Sequence, residues 1–239
     1  MTRNLRRGAA VLAAALLAVA ASSCGEDDSA TTSGDSAGDR TELVGTFRLD
    51  PGACTAAGAE GSYFQMINRG GTAAEGPYFG NPDSPCADKS LNPQEPGGDG
   101  GLVTGTFQPG PKPAFDATGD AQASSIVKTG SFTAIQFGIS TEKKDPATGG
   151  KNPAPQIFLE DGKLSGQITA WTAAWNNLYF NQGSPKPDGS SPGMTTPVSG
   201  TYDEKTRKFE LTWVSQVVGG PFDQFAGAWH LTGTFEPAA

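Results

Sequence analysis

The chain of 239 residues contains one histidine, His230, and this limits the acid–base chemistry it can support. His230 lies between Trp229 and Leu231, on the polar parity of an alternating stretch. One histidine cannot build a histidine-rich zinc site, and a serine or cysteine triad would have to draw its base from this residue alone. The expectation is a surface or cross-strand histidine. Two catalytic patterns match by letter. Gly189-Ser190-Ser191-Pro192-Gly193 satisfies GxSxG, which needs a strand-to-helix elbow to present its hydroxyl. Pro192 and the surrounding PKPDGSSPGM read instead as an irregular loop. Ser125-Ile126-Val127-Lys128 satisfies SxxK and Lys128-Thr129-Gly130 satisfies KTG, but one lysine would have to serve two elements that need a lysine each. Both matches are read as coincidence.

Carboxylates suit glycosidase chemistry, in which two must flank the scissile bond about 5–10 Å apart. The 25 acidic residues offer many pairs, and the sequence singles out none. Calcium would fit Asp-rich turns, but no segment has the ligand spacing of an EF-hand. No catalytic residue, metal ligand or cofactor is therefore assigned. The aromatic residues are the best lead. All four tryptophans fall within the last 70 residues, and Trp171, Trp175, Tyr179 and Phe180 crowd one stretch. Exposed, these rings could stack on a sugar or line an apolar pocket; buried, they would fill a core otherwise rich in small residues.

Of the three cysteines, Cys24 belongs to the amino-terminal segment discussed below, which leaves Cys54 and Cys86 as an even pair. In an oxidising compartment a disulfide is the natural reading, because their spacing is nothing like CxxC. It would close a loop of about 33 residues and contribute roughly 3–4 kcal/mol through loop entropy.

Arg3, Arg6 and Arg7 precede an uncharged run from Ala9 to Ala21. That run is shorter than the roughly 20 residues a membrane-spanning helix needs, and it has the length of a signal-peptide apolar region. NLRRGAAVL lacks the rest of a twin-arginine motif, so general secretion is expected. Ala21-Ser22-Ser23-Cys24 then resembles the bacterial lipobox, departing from it where Ala21 stands in place of the usual leucine. The resemblance implies cleavage before Cys24, diacylglycerol on its thiol, and a protein anchored at the extracytoplasmic face of the cell membrane. Each buried acyl methylene contributes about 0.8 kcal/mol, so two or three chains would hold it there.

Without residues 1–23 the chain keeps 14 basic against 25 acidic residues, a net charge of −11. Binding to nucleic acid depends on Lys and Arg neutralising phosphates, so nucleic acid is not an expected partner. The 33 glycines and 18 prolines fall short of the share that marks a disordered chain.

Three segments are expected: a leader at 1–23, the lipidated Cys24 with a flexible linker at 24–41, and a β-rich domain at 42–239. The linker GEDDSATTSGDSAGDRT has no aromatic or large aliphatic side chain to repay ordering. In the domain, Gly followed by Thr or Ser and then an aromatic recurs at Gly45, Gly61, Gly105, Gly130, Gly200 and Gly233. The intervals are irregular, which indicates a strand habit and not a repeat array. Val198–Tyr202, Lys208–Val218 and Gln224–Glu236 read as consecutive strands. Phe209, Leu211 and Trp213 share one face of the second; Trp229, Leu231, Gly233 and Phe235 share one face of the third. Residues 171–180 suit strand or short helix, with strand favoured because KLSGQITAW before them alternates. Long Gly/Pro/Asn loops separate the strands. The fold class is therefore all-β, a single antiparallel sandwich or barrel-like domain.

The run FNQGSPKPDGSSPGMTTPVSGTYD, with LTWVSQVVGGPFDQFAGAWHLTGTF after it, resembles a family of secreted, lipobox-bearing proteins of high-GC Gram-positive (actinobacterial-type) bacteria. The resemblance covers most of 42–237, implies a cell-envelope β domain and supplies no catalytic residue. The expected function is a non-enzymatic binding or interaction module. Its partners would be the membrane through Cys24 and a small molecule, glycan or envelope protein. The alternative is an envelope-polymer hydrolase with a carboxylate pair.

Overall fold

The computed structural model describes residues 40–186 and 188–239. The leader at 1–23, Cys24 and residues 25–39 of the linker lie outside the described residues.

The described residues form strands and no helix. The first eight are β1 (Thr41–Glu42), β2 (Gly45–Leu49), β3 (Ala53–Thr55), β4 (Gly58–Glu60), β5 (Tyr63–Thr72), β6 (Gly76–Phe79), β7 (Asn92–Pro93) and β8 (Gly101–Val103). Then come β9 (Gly130–Phe132), β10 (Ile135–Thr141), β11 (Gln156–Glu160), β12 (Lys163–Gln167) and β13 (Trp171–Trp175). The last four are β14 (Leu178–Asn181), β15 (Val198–Asp203), β16 (Lys208–Gln216) and β17 (Ala226–Pro237). Among the described residues, strand pairing begins at Thr41, opposite Leu159.

An eleven-stranded sheet runs β1-β11-β12-β15-β16-β17-β2-β8, and β5 joins it through β17 while carrying β6 and β7. It is antiparallel and curls into a half-barrel. A second sheet, β14-β13-β10-β9, packs on its inner face, and β3-β4 form a small hairpin. The all-β expectation holds, with one sheet curled and another laid against it.

The long strand β17 organises this arrangement. Trp229, Leu231 and Phe235 point into the core while His230, Thr232 and Thr234 face outward, the period-two pattern of a half-buried strand. One edge of β17 pairs with β16 along its length. The other edge is divided: Ala226–His230 pair with β5 and Gly233–Pro237 with β2. At the division the buried Ser62 hydroxyl bridges Thr232, accepting from its N–H and donating to its carbonyl at 3.2 Å each. Asp50 N–H also donates to that carbonyl, at 2.8 Å. The backbone groups freed by the fork are thereby satisfied.

The recurring glycines have a packing reason. A Cβ on Gly200 would lie 1.9 Å from the Glu210 carbonyl oxygen, and one on Gly233 would lie 1.7 Å from that of Arg48. Neighbouring strands close in where no side chain is present. Gly105-Thr106-Phe107 departs from the pattern, forming a bend outside any strand.

Residues 171–180 are the hairpin β13–β14. Trp175 pairs with Leu178, and Asn176 and Asn177 between them have φ of 48° and 57°. A two-residue hairpin turn with both φ positive is the form that matches strand twist, and asparagine tolerates it. This turn decides for strand over helix.

Cys54 and Cys86 form a disulfide with Cα atoms 5.2 Å apart, tying β3 to the loop after β6. That long loop is ordered by buried amides. Asn81 donates to Asn92 Oδ1 at 2.8 Å and to the Ser131 carbonyl at 3.0 Å, and it accepts from the Thr133 N–H at 3.0 Å.

Candidate ligand cleft between the sheets

The two sheets meet through rings. Phe64 of β5 stacks on Trp229 at 4.7 Å and stands edge-on to Phe137 of β10 at 5.3 Å. Trp171 of β13 is fully buried and T-shaped to Trp213 at 5.3 Å and to Trp229 at 5.0 Å. Toward β14 this packing opens into a cleft of about 530 Å³, counted with the solvent at its mouth. The room inside for the centre of a water molecule is only about 50 Å³, so the cleft is a narrow slot.

Its floor includes Phe64, Ile139 and Trp229, and its sides Met66, Trp175 and Phe180. Val217, Phe222 and Phe225 close it from the loop between β16 and β17. No lining residue is ionisable, and the one polar side chain is Gln182. The Gln182 oxygen accepts from Trp229 Nε1 at 3.0 Å and from Ser215 Oγ at 3.2 Å, which leaves its NH₂ as its donor. Trp175 Nε1 donates to the Phe132 carbonyl at 2.8 Å, fixing that ring at the wall.

The loop carrying Phe222 turns through Gly219 and Gly220, with φ of 77° and 67°. Phe222 packs against Phe180 at 4.8 Å and Trp175 at 5.6 Å. Arg69 of β5 holds the loop from outside. Its guanidinium donates to the Asp223 carbonyl at 2.7 Å and the Pro221 carbonyl at 3.1 Å, and lies 5.1 Å from the centre of the Phe225 ring.

The four aromatics singled out in the sequence thus separate. Trp175 and Phe180 line the cleft, whereas Trp171 lies in the core behind it. Tyr179, opposite Ala174, faces the other side of the small sheet. There its hydroxyl bonds Ser140 Oγ at 3.0 Å and the Glu142 carboxylate. Burial, then the hydrogen bond to Glu142, push its pKa well above the usual tyrosine value. Phe222, Phe225 and Gln182 were not singled out. Two phenylalanines in the Gly/Pro-bounded segment GGPFDQF were the available signal, since large apolar residues in a loop need a surface to cover.

The chemical candidates lie elsewhere. His230 Nδ1 is 2.8 Å from the Gly61 carbonyl and Nε2 3.0 Å from Glu210 Oε1, and the ring stacks on Tyr63 at 4.7 Å. It is a cross-strand tie on the outer face, as expected. Ser190 is engaged with Asp188 in an Asx turn, and Lys128 pairs with Glu95 at 2.8 Å. Asp50, Asp203 and Glu210 share an outer-face hollow with Lys208, which pairs with Asp50 at 3.0 Å. The N–H groups of Thr206 and Lys205 hold the Asp203 carboxyl below its usual range, the opposite of what a general acid needs. Among the described residues, no three of His, Cys, Asp and Glu gather closely enough to hold a metal ion.

No family model, curated protein or solved structure matches the chain.

Proposed function

We propose that the chain is a lipid-anchored binding protein of the cell envelope, and that its β domain takes an apolar small molecule into the cleft between its sheets. The observation that carries this reading is the cleft wall, built from aromatic and aliphatic side chains with one amide and no ionisable group. Ligand sites are mostly apolar hollows with a few placed polar groups. The narrowness of this one favours a slender chain or a flat ring over a bulky molecule. Hydrolysis of a glycan would need two carboxyl groups across one bond, and no acidic side chain reaches this wall. The anchor and the extracytoplasmic location rest on the basic start, the apolar run and the small residues before Cys24.

Titrating the full chain with the fluorescent polyene cis-parinaric acid tests the cleft. Saturable one-to-one enhancement is expected, weakened in the Trp175→Ala and Phe180→Ala variants. No enhancement, together with no apolar molecule retained in native mass spectra of protein from its own envelope, would falsify the binding reading. Cys24→Ala tests the anchor. The variant should leave the membrane fraction and lose the mass of the acyl groups; equal membrane retention and equal mass would overturn that part.

A further inference from the structure

We infer that residues 219–224 form a lid on the apolar cleft, and that Arg69 of β5 is the latch that keeps it shut. The inference rests on the reading of the cleft as a binding site and adds how a ligand passes in and out. As it stands the cleft offers about 50 Å³ to the centres of water molecules, and one water needs about 10–15 Å³ on that measure. A chain of more than a few carbons therefore enters only if a wall gives way.

Most of the wall is fixed. Phe64, Ile139, Trp175, Phe180 and Trp229 stand on strands paired within the two sheets. Phe222 stands on the connection between β16 and β17 instead. The base of that connection is closed: the Val217 N–H donates to the Phe225 carbonyl at 2.8 Å and the Gln224 N–H to the Val217 carbonyl at 3.0 Å. Beyond this base the tip has only single turns, from the Asp223 N–H to the Gly220 carbonyl at 3.3 Å and from the Phe225 N–H to the Phe222 carbonyl at 2.9 Å. Both of its ends lie in the left-handed region, with φ of 77° at Gly219, 67° at Gly220 and 69° at Gln224. A Cβ on Gly220 would meet nothing within 4 Å, so no packing holds that turn.

Arg69 supplies the main argument. Its Nε donates to the carbonyl of Asp223 at 2.7 Å and its Nη2 to the carbonyl of Pro221 at 3.1 Å. These are the residues directly after and directly before Phe222, so one planar guanidinium bridges the backbone on both sides of the ring that covers the cleft. A rigid fork of donors fixes direction as well as distance, and here the direction it fixes is that of Phe222 over Trp175 and Phe180. The Asp223 carboxylate turns into the loop, accepting from the Gly219 N–H at 2.8 Å. The latch therefore consists of hydrogen bonds to neutral carbonyls. Arg69 is exposed, so these bonds can break and reform at the surface while the core stays closed.

The test compares the full chain with Arg69→Met, which keeps an apolar stem and removes every donor, and with Gly220→Ala, which disfavours the left-handed turn without a clash. Hydrogen exchange without ligand reads the latch. The Asp223 and Phe225 amides should exchange about tenfold faster in Arg69→Met, as for the loss of one hydrogen bond to a charged group, while the β16–β17 ladder exchanges as in the parent. Stopped-flow mixing with cis-parinaric acid reads the lid. Association and dissociation should both quicken in the two variants with the affinity little altered, because Arg69 holds the loop and not the ligand. A residue that only supports the fold would leave association unchanged and weaken the affinity, and that outcome, or unchanged exchange and rates in Arg69→Met, overturns the proposal. A parent that binds no probe overturns the binding reading instead, and the exchange rates then decide by themselves whether Arg69 latches the loop.

Discussion

Trp229 donates its indole N–H to the side-chain oxygen of Gln182 at 3.0 Å, joining the centre of the large sheet to the end of the β13–β14 hairpin. The same oxygen accepts from Ser215, so one amide satisfies two buried donors and also faces the cleft. Gln182→Leu removes the acceptor for both. With about 1–3 kcal/mol for a buried donor left unpaired, and about 2–4 °C per kcal/mol at this size, the thermal midpoint should fall by several degrees. Binding of an apolar probe should not weaken, because the wall becomes more apolar. A calorimetric scan with unchanged midpoint would show that the amide is not the tie described.

Phe222 covers the cleft from a loop that turns through two glycines in the left-handed region, and it contacts Trp175 and Phe180 without being fully buried. Its truncation should therefore affect ligand retention more than folding. Phe222→Ala is expected to weaken cis-parinaric acid binding about tenfold, which corresponds to about 1.4 kcal/mol, mainly through faster dissociation. The midpoint should move by only about 2–4 °C, as for a loss near 1 kcal/mol. Stopped-flow dissociation rates check this; an unchanged rate would mean that Phe222 does not gate the cleft.

The strands that were legible are those with one wet face. In β16 and β17 the alternation of Phe209, Leu211, Trp213, Trp229, Leu231 and Phe235 with polar neighbours marks strand and inward face together. The cleft was only half legible. Trp175 and Phe180 line it but Tyr179 does not, because facing is set by the Asn176-Asn177 turn and the register it imposes. A helical reading would have placed these side chains differently. Phe222 and Phe225 come from a loop about 45 residues further on, and no local periodicity links them to Trp175. Their meeting depends on the small sheet lying across β5 and β17, a long-range relationship that spacing does not encode.

The Cys54–Cys86 disulfide spans 32 residues and anchors the small β3–β4 hairpin to the loop that leads into β7. Loop entropy gives its removal a cost of about 3–4 kcal/mol. Cys54→Ser with Cys86→Ser should then lower the thermal midpoint by roughly 6–16 °C at about 2–4 °C per kcal/mol. Alkylation without reductant should find no free thiol at either position in the native protein. A double variant melting with the parent, or two alkylated cysteines, would contradict the staple.

Asp83 joins the loop after β6 to the tight β9–β10 turn, accepting from Ser131 Oγ at 2.6 Å and from the Ala134 N–H. The turn needs this support, since Thr133 and Ala134 both have positive φ, at 53° and 63°. The Ser131 hydroxyl first, then the Ala134 N–H, hold the Asp83 carboxyl below its usual range. A carboxyl with a depressed folded pKa stabilises the protein above the unfolded value, about 3.9, and loses that effect as pH falls through the folded pKa. Asp83→Asn keeps the shape and removes the titration. The parent should melt above the variant at pH 7, and the gap should close as the pH drops below about 4. Asp116 and Asp203, also lowered by hydrogen bonds in their turns, remain in both proteins, so the difference isolates Asp83. Midpoints recorded from pH 7 down to strong acid decide the matter, and a gap that stays constant across that range would mean the charge on Asp83 contributes nothing.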